Sequence, residues 1–310
     1  MKIGFLFPGQ GAQSIGMGKD LYENYQEVRD IYENVHKITG VDIKKITFDG
    51  TEQELSKTQN TQIAVLTMSL AILKLLEKKG INAEISAGLS LGEYTALIYS
   101  KCISFEDGVE LVKKRGEYMQ NLLPEGDWAM AAILGLEDEK VEEVCKKVVD
   151  GFVVPVNYNT QGQVVISGEK TAVEQAEIIA KEMGAKKVRI LKTSGPFHTK
   201  KLIEASNALR KDLEKININK FKTKVVKNIN GDIYKDEENI KDILAEHMIS
   251  PVKFSKCLET MLKMGIDTFV EIGPGKTLSS FVKRIKTEKE IKIYNICDVK
   301  SLENTLKEIN

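Results

Sequence analysis

The chain carries no excess of charge of either sign. Lys+Arg and Asp+Glu both number 45, for a formal net charge of zero. A dedicated nucleic-acid binder needs a basic excess, so the balance argues against that class. Cysteine is sparse. Cys102, Cys145, Cys257 and Cys297 stand far apart with no C-x-x-C pair, which excludes a zinc ribbon and a thioredoxin-type redox pair and suits reduced thiols in a cytoplasm. No apolar run approaches the length of a bilayer span. The start, Met1-Lys2-Ile3-Gly4-Phe5-Leu6-Phe7-Pro8, lacks the apolar core and small-residue cleavage site of a signal peptide. Histidine is scarce too, with only His36, His198 and His247, so the choice of a titrating base near neutrality is narrow. What is present is ordinary for a soluble globular enzyme: 310 residues, 42% hydrophobic and 29% charged, enough for one large domain or two modest ones. A soluble, cytoplasmic protein with no nucleic-acid or membrane partner is expected.

Hydrophobic periodicity organises the chain. Ile3 to Phe7 reads as a buried strand broken by the turn Pro8-Gly9-Gln10-Gly11. That turn fails the dinucleotide fingerprint, because Ser14 stands where the third glycine belongs. Helices are predicted over 18–39, over 59–79 with Thr61 as cap and Gly80 as stop, and over 105–122 after Ser104. From Trp128 to Leu191 the order becomes β-α-β-β-α-β, with the turn Asn159-Thr160-Gln161-Gly162 between the middle strands. This is the order of a ferredoxin-like unit. The joints fall near Pro124-Glu125-Gly126 and Ser194-Gly195-Pro196. Beyond them, strands at Val225-Val226, 268–272 and 291–296 alternate with helices over 199–215, 239–248, 254–264 and 276–285. Such alternation implies a mostly parallel sheet covered on both faces. The expected fold is therefore α/β. Residues 1–125 and 198–310 form a large core, and 126–197 form a small ferredoxin-like insertion. There is no internal repeat.

The chemistry centres on Gly88-Leu89-Ser90-Leu91-Gly92. A G-x-S-x-G between a strand and a helix is a nucleophile elbow: the serine sits on a strained turn, so its neighbours two residues away must lack a Cβ. The following helix aims its free N–H groups at the reacting oxygen. A serine hydroxyl needs a base. His36 lies mid-helix, and His247 ends a helix, where it reads as a C-terminal cap. His198 lies in the loop Gly195-Pro196-Phe197-His198-Thr199, the kind of position where catalytic groups are placed. Ser90 and His198 form the best dyad. The Leu91 N–H and the Gly9-Gln10-Gly11 turn are the natural oxyanion donors. Arg115, inside a helix, reads by itself as a solvated surface group.

These motifs occur together and in order: Phe7-Pro8-Gly9-Gln10-Gly11, Gly88-Leu89-Ser90-Leu91-Gly92-Glu93-Tyr94, Lys114-Arg115-Gly116, Asn157-Tyr158-Asn159, Gly162-Gln163-Val164-Val165-Ile166-Ser167-Gly168, Gly195-Pro196-Phe197-His198 and Glu271-Ile272-Gly273-Pro274-Gly275. The combination resembles the malonyl-CoA:acyl carrier protein transacylases, from Ile3 to about Ile285. The resemblance implies a hydrolase-like core with a ferredoxin-like insertion, and a ping-pong transfer from malonyl-CoA to acyl carrier protein through a malonyl ester of Ser90. No metal and no bound cofactor would take part. It implies His198 as general base and acid, Gln10 and Leu91 as oxyanion N–H donors, and Arg115 as partner of the malonyl carboxylate. Asn159 would be a substrate contact, and the backbone carbonyl of His247 would orient His198. Glu93 and Tyr94 belong to the signature as structural residues. Phe197 is similar to its counterpart in malonyl-selective members. Leu89 departs from the family, which usually has histidine there, and His247 stands where glutamine is usual. A monomer serving fatty-acid elongation is expected, with an acidic carrier protein as acceptor. The alternatives are a discrete acyltransferase of a polyketide assembly line, a serine thioesterase, which would expect an acid between serine and a late histidine, and a silent subunit that only docks a carrier.

Overall fold

Five short segments build the larger sheet. In chain order the strands are β1 (Ile3–Phe7), β2 (Ile85–Gly88), β3 (Trp128–Leu134), β4 (Val153–Thr160), β5 (Gln163–Glu169), β6 (Lys187–Ile190), β7 (Lys224–Val225), β8 (Thr268–Ile272) and β9 (Lys292–Ile296). The computed structural model describes residues 1–192, 195–288 and 290–309. Ser194 of the second expected joint lies outside them. The larger sheet runs β7-β2-β1-β8-β9 and every pairing in it is parallel. β2 and β8 are buried along their whole length, as strands covered by helices on both faces must be.

The helices are α1 (Lys19–Asn24), α2 (Gln26–Thr39), α3 (Glu52–Leu55), α4 (Thr58–Lys78), α5 (Leu91–Tyr99), α6 (Phe105–Asn121), α7 (Asp138–Lys147), α8 (Lys170–Glu182), α9 (Ile203–Leu213), α10 (Ile240–His247), α11 (Phe254–Lys263), α12 (Thr277–Val282) and α13 (Val299–Ile309). None is long and apolar enough to cross a membrane. The helix expected over 18–39 is broken at Tyr25, which adopts an extended backbone between α1 and α2. Thr61 does not cap α4. The helix starts at Thr58, and the Thr61 hydroxyl, already inside it, donates back to the Leu55 carbonyl at the end of α3 at 2.5 Å. A π turn at Lys45–Asp49 and α3 follow no periodicity that the sequence displays. Ser104 does cap α6, accepting from the Asp107 N–H at 3.0 Å, and Gly80 adopts a left-handed φ of 73° past the end of α4.

The smaller sheet is antiparallel in the order β4-β5-β3-β6, the arrangement that a β-α-β-β-α-β chain takes in a ferredoxin-like unit. β4 runs through Asn159 and Thr160, so the hairpin turn is shorter than expected and rests on Gly162, with φ 71°. This sheet is tied to the rest of the chain by backbone bonds. Tyr158 N–H donates to the Val252 carbonyl and Val252 N–H to the Val156 carbonyl, both at 2.8 Å. The Thr160 hydroxyl donates to the Phe281 carbonyl at 3.1 Å. The crevice between the two sheets lies at the carboxyl ends of β1, β2 and β8, where open parallel sheets bind their ligands.

Candidate active site

Ser90 sits between β2 and α5 with φ 52° and ψ −102°, a conformation that L-residues hold only when the surroundings impose it. Here the glycines impose it. A Cβ on Gly88 would lie 1.9 Å from the Gly92 carbonyl carbon, and one on Gly92 would lie 2.1 Å from the Phe7 carbonyl oxygen. The elbow therefore folds tightly against itself and against the end of β1. Asn228 fastens it from the far side: its Oδ1 accepts the Ser90 N–H at 2.7 Å, and its Nδ2 donates to the Gly88 carbonyl at 2.7 Å. Leu91 is the first residue of α5, so its N–H is one of those that helix geometry leaves without an intrahelical partner.

The Ser90 Oγ lies 2.7 Å from Nε2 of His198. The other ring nitrogen, Nδ1, lies 3.0 Å from the backbone carbonyl of His247. A carbonyl only accepts, so Nδ1 carries the proton and Nε2 is left free to take one from serine. His198 is itself held at φ 59° and is buried. Burial first, then the nearby Arg115 charge, push its pKa down to about 4. The ring is accordingly neutral at pH 7, the form a general base requires. Among the described residues, no carboxylate accepts the Nδ1 proton. A carbonyl fills the position that Asp or Glu holds in a triad.

Arg115 is not a solvated surface group. It is 1% exposed. Its Nη1 donates to Gln62 Oε1 at 2.6 Å, its Nη2 donates to Ser90 Oγ at 3.0 Å, and the guanidinium lies over the Tyr94 ring at 5.3 Å. All three partners are uncharged. Nε has no hydrogen-bond partner among the described residues. Two features bring α6 close enough for this. A Cβ on Gly116 would sit 2.8 Å from the Gln59 Cα of α4, and Lys114 and Tyr118 both bind Asp212 of α9, at 3.1 and 2.5 Å.

A cavity of 240 Å³ opens in front of Ser90. Pro8 to Ala12, Leu89, Met119, Met130, Asn159, Phe197 and His198 are among its lining residues. Gln10 lies on the rim, its side-chain amide on the Thr58 hydroxyl at 3.3 Å. Asn159 is on β4 rather than in a turn, and its Oδ1 is buried with no hydrogen-bond partner among the described residues. Leu89 packs on the apolar cluster that holds Phe254 and Phe281. His36 is exposed at the end of α2, away from this group. The site thus brings together the Ser90 hydroxyl, a neutral imidazole beside it, the first N–H of α5 and the buried Arg115 guanidinium.

The acyl transferase domain family matches residues 4–301 of the chain. The chain belongs to the acyl transferase domain family. It is 40% identical over 314 residues to the malonyl CoA-acyl carrier protein transacylase of Bacillus subtilis, covering 100% of this chain and 98% of that protein. Among solved structures, the malonyl CoA-acyl carrier protein transacylase of Clostridium perfringens superimposes with a TM-score of 0.94 at 44% identity, covering 100% of this chain and 97% of the other. A malonyl-transacylase solved in complex with a type II PKS acyl-carrier protein superimposes with a TM-score of 0.94 at 36% identity, covering 99% of this chain and 100% of the other.

Two residues of this acyl transferase site carry no motif. Gln62 lies in a helix buried on nearly every side, so a polar amide there needs a specific partner, and Arg115 is that partner. Arg115, read from the residues alone as a surface group, had a signal against that reading in its own helix. It shares a helical stripe with Val112, Gly116 and Met119, all buried, at the spacing that puts residues on one face. Asn228 stands in a connection after β7 with nothing in the sequence to single it out.

Proposed function

We propose that this acyl transferase moves the malonyl group from malonyl-CoA to the phosphopantetheine thiol of an acyl carrier protein, supplying fatty-acid chain elongation. Ser90 Oγ attacks the thioester carbonyl while His198 Nε2 takes its proton. The oxyanion forms against the N–H groups of Leu91 and Gln10. His198 then returns the proton to the departing coenzyme A thiolate. In the second half the carrier thiol gives its proton to His198 and attacks the malonyl ester, the bond to Ser90 Oγ breaks, and His198 returns the proton to Ser90. The His247 carbonyl keeps the ring in the required tautomer throughout, and Asn159 contacts the substrate. No metal and no bound cofactor takes part.

One observation carries the choice of acyl group. Arg115 is a buried cation beside the nucleophile with neutral partners and an unused Nε. A buried cation with an unused donor is costly, and a carboxylate on the acyl chain would accept two parallel N–H bonds from it. Acetyl groups have nothing to offer there. Phe197 and Met119 close the apolar side of the cavity and favour an unbranched malonyl group. The full-length similarity to transacylases does not favour a thioesterase. The segment 126–197 acts as an inserted unit that closes the cavity over a core of 1–125 and 198–310, and the protein works as a cytoplasmic monomer.

The acceptor tests the reading. Purified enzyme mixed with malonyl-CoA and a holo carrier protein is expected to release coenzyme A in step with malonyl-carrier formation. Release of free malonate at the same rate, with no acylated carrier, would refute transfer and establish hydrolysis.

A further inference from the structure

Glu93, on the first turn of α5, is fully buried and touches neither the Ser90 hydroxyl nor the His198 ring. Packing alone does not explain a carboxyl group there, since a buried acid costs more than an apolar residue of similar size. Its surroundings do. Oε1 accepts the Tyr234 hydroxyl at 2.5 Å, and Oε2 accepts the Asn228 N–H at 3.2 Å. The same Oε2 lies 3.4 Å from His247 Nδ1. Among the described residues neither ring nitrogen of His247 makes a hydrogen bond, so this carboxyl is the polar group that the buried imidazole faces.

Two of these neighbours, Asn228 and His247, each lead to one half of the dyad. Asn228 holds the Ser90 N–H and the Gly88 carbonyl through its side chain. His247 holds the His198 Nδ1 proton through its carbonyl, and its ring lies 5.2 Å from the His198 ring, inclined at 32°. We propose that Glu93 is a positioning residue for both members of the dyad, holding Ser90 through Asn228 and His198 through His247. The arm through His247 is particular to this chain's imidazole. The inference rests on Ser90 and His198 being the reacting pair. It adds that their separation is set by one carboxyl group rather than by two independent supports. Small displacements matter here, because a misplacement of about 1 Å at a reacting centre costs about 10²-fold in rate.

The test is single-turnover acylation by malonyl-CoA and by acetyl-CoA in Glu93→Gln, His247→Gln and the double variant, with Ser90→Ala as control. Glutamine keeps the volume of residue 93 and can still accept from Asn228 and donate to Tyr234, while the carboxyl group facing His247 is lost. Glu93→Gln is expected to slow acylation by about 10²-fold with both donors alike, with KM for malonyl-CoA unchanged within about twofold. The downfield proton resonance of His198 Nδ1–H is expected to shift. The effects of Glu93→Gln and His247→Gln should be non-additive, as for residues in one network. Wild-type acylation and an unshifted resonance in Glu93→Gln would overturn the inference, and so would strict additivity. Should Glu93→Gln fail to fold, Tyr234→Phe, which removes only the bond to Oε1, replaces it: slowed acylation with a shifted resonance supports the inference, and wild-type behaviour overturns it. A Ser90→Ala control that loses the adduct while Glu93→Gln reacts normally overturns this inference alone. A Ser90→Ala protein that still acquires the adduct overturns the dyad as well.

Discussion

Replacing Arg115 with alanine should change which acyl group this enzyme transfers more than whether it transfers one. The unused Nε and the Nη2 now resting on Ser90 are the two donors available to a malonyl carboxylate. Charge-assisted hydrogen bonds contribute roughly 1.5–3 kcal/mol each. Forming them requires Nη2 to leave Ser90 and the carboxylate to lose water, which offsets about half of that. A net loss of about 1.5–3 kcal/mol follows for malonyl transfer, or roughly 10- to 10²-fold in kcat/KM. Acetyl transfer loses neither bond and also escapes a buried guanidinium that it cannot bind, so it should be unchanged or faster. The assay is single-turnover acylation with both donors in wild type and Arg115→Ala. Gln62 Oε1 loses its donor in the variant, at a stability cost of about 1–3 kcal/mol, so thermal denaturation must accompany the rates. The readout is the malonyl-to-acetyl ratio. An equal fall with both donors in a folded variant would refute the role and make Arg115 a support for Ser90 alone.

Asn228→Ala should lower stability by about 1–3 kcal/mol, because it strands the Ser90 N–H and the Gly88 carbonyl in a buried place. It should slow acylation from either donor equally; urea unfolding and the same acylation assay check both, and a donor-dependent loss would argue against it. Stability should also respond to pH with a definite sign. Burial holds His198 down to about 4 and His247 well below its ordinary 6.5, so below about pH 6.5 the unfolded chain binds protons that the folded one refuses, and stability falls with falling pH. Glu93, raised by burial to about 7, has the opposite sign: it adds stability at low pH that is lost as pH rises through about 7. His247→Gln should therefore shrink the loss of stability between pH 7 and 5 by about 2 kcal/mol. An unchanged pH slope in thermal melts would contradict that.

Much of this site was legible because its residues obey local sterics. Gly88 and Gly92 flank Ser90 since nothing larger fits, and that requirement is written in three letters of sequence. β8, from Thr268 to Ile272, stands out as an apolar run before Gly273-Pro274-Gly275. The small unit declared itself by its alternation of strand and helix. What stayed hidden depends on partners that local pattern does not name. Tyr25 breaks a helical pattern that continues through it in periodicity. Thr61 looks like a cap and instead bonds back to the end of the preceding helix, because the hydroxyl of a buried threonine must find a carbonyl. Asn228 is 138 residues from the Ser90 N–H it binds, and Gln62 is 53 residues from Arg115. Only the fold brings them together. The burial of Arg115 lay in its helical stripe, yet its chemistry needed the family resemblance to be read.

The covalent intermediate is the claim on which the rest depends. Intact-protein mass spectrometry after brief incubation with malonyl-CoA tests it directly. The account predicts a single malonyl adduct on the wild-type chain, absent from Ser90→Ala and discharged by adding holo carrier protein. An adduct that survives in Ser90→Ala, or free coenzyme A accumulating from malonyl-CoA with no adduct on the wild type, would contradict it.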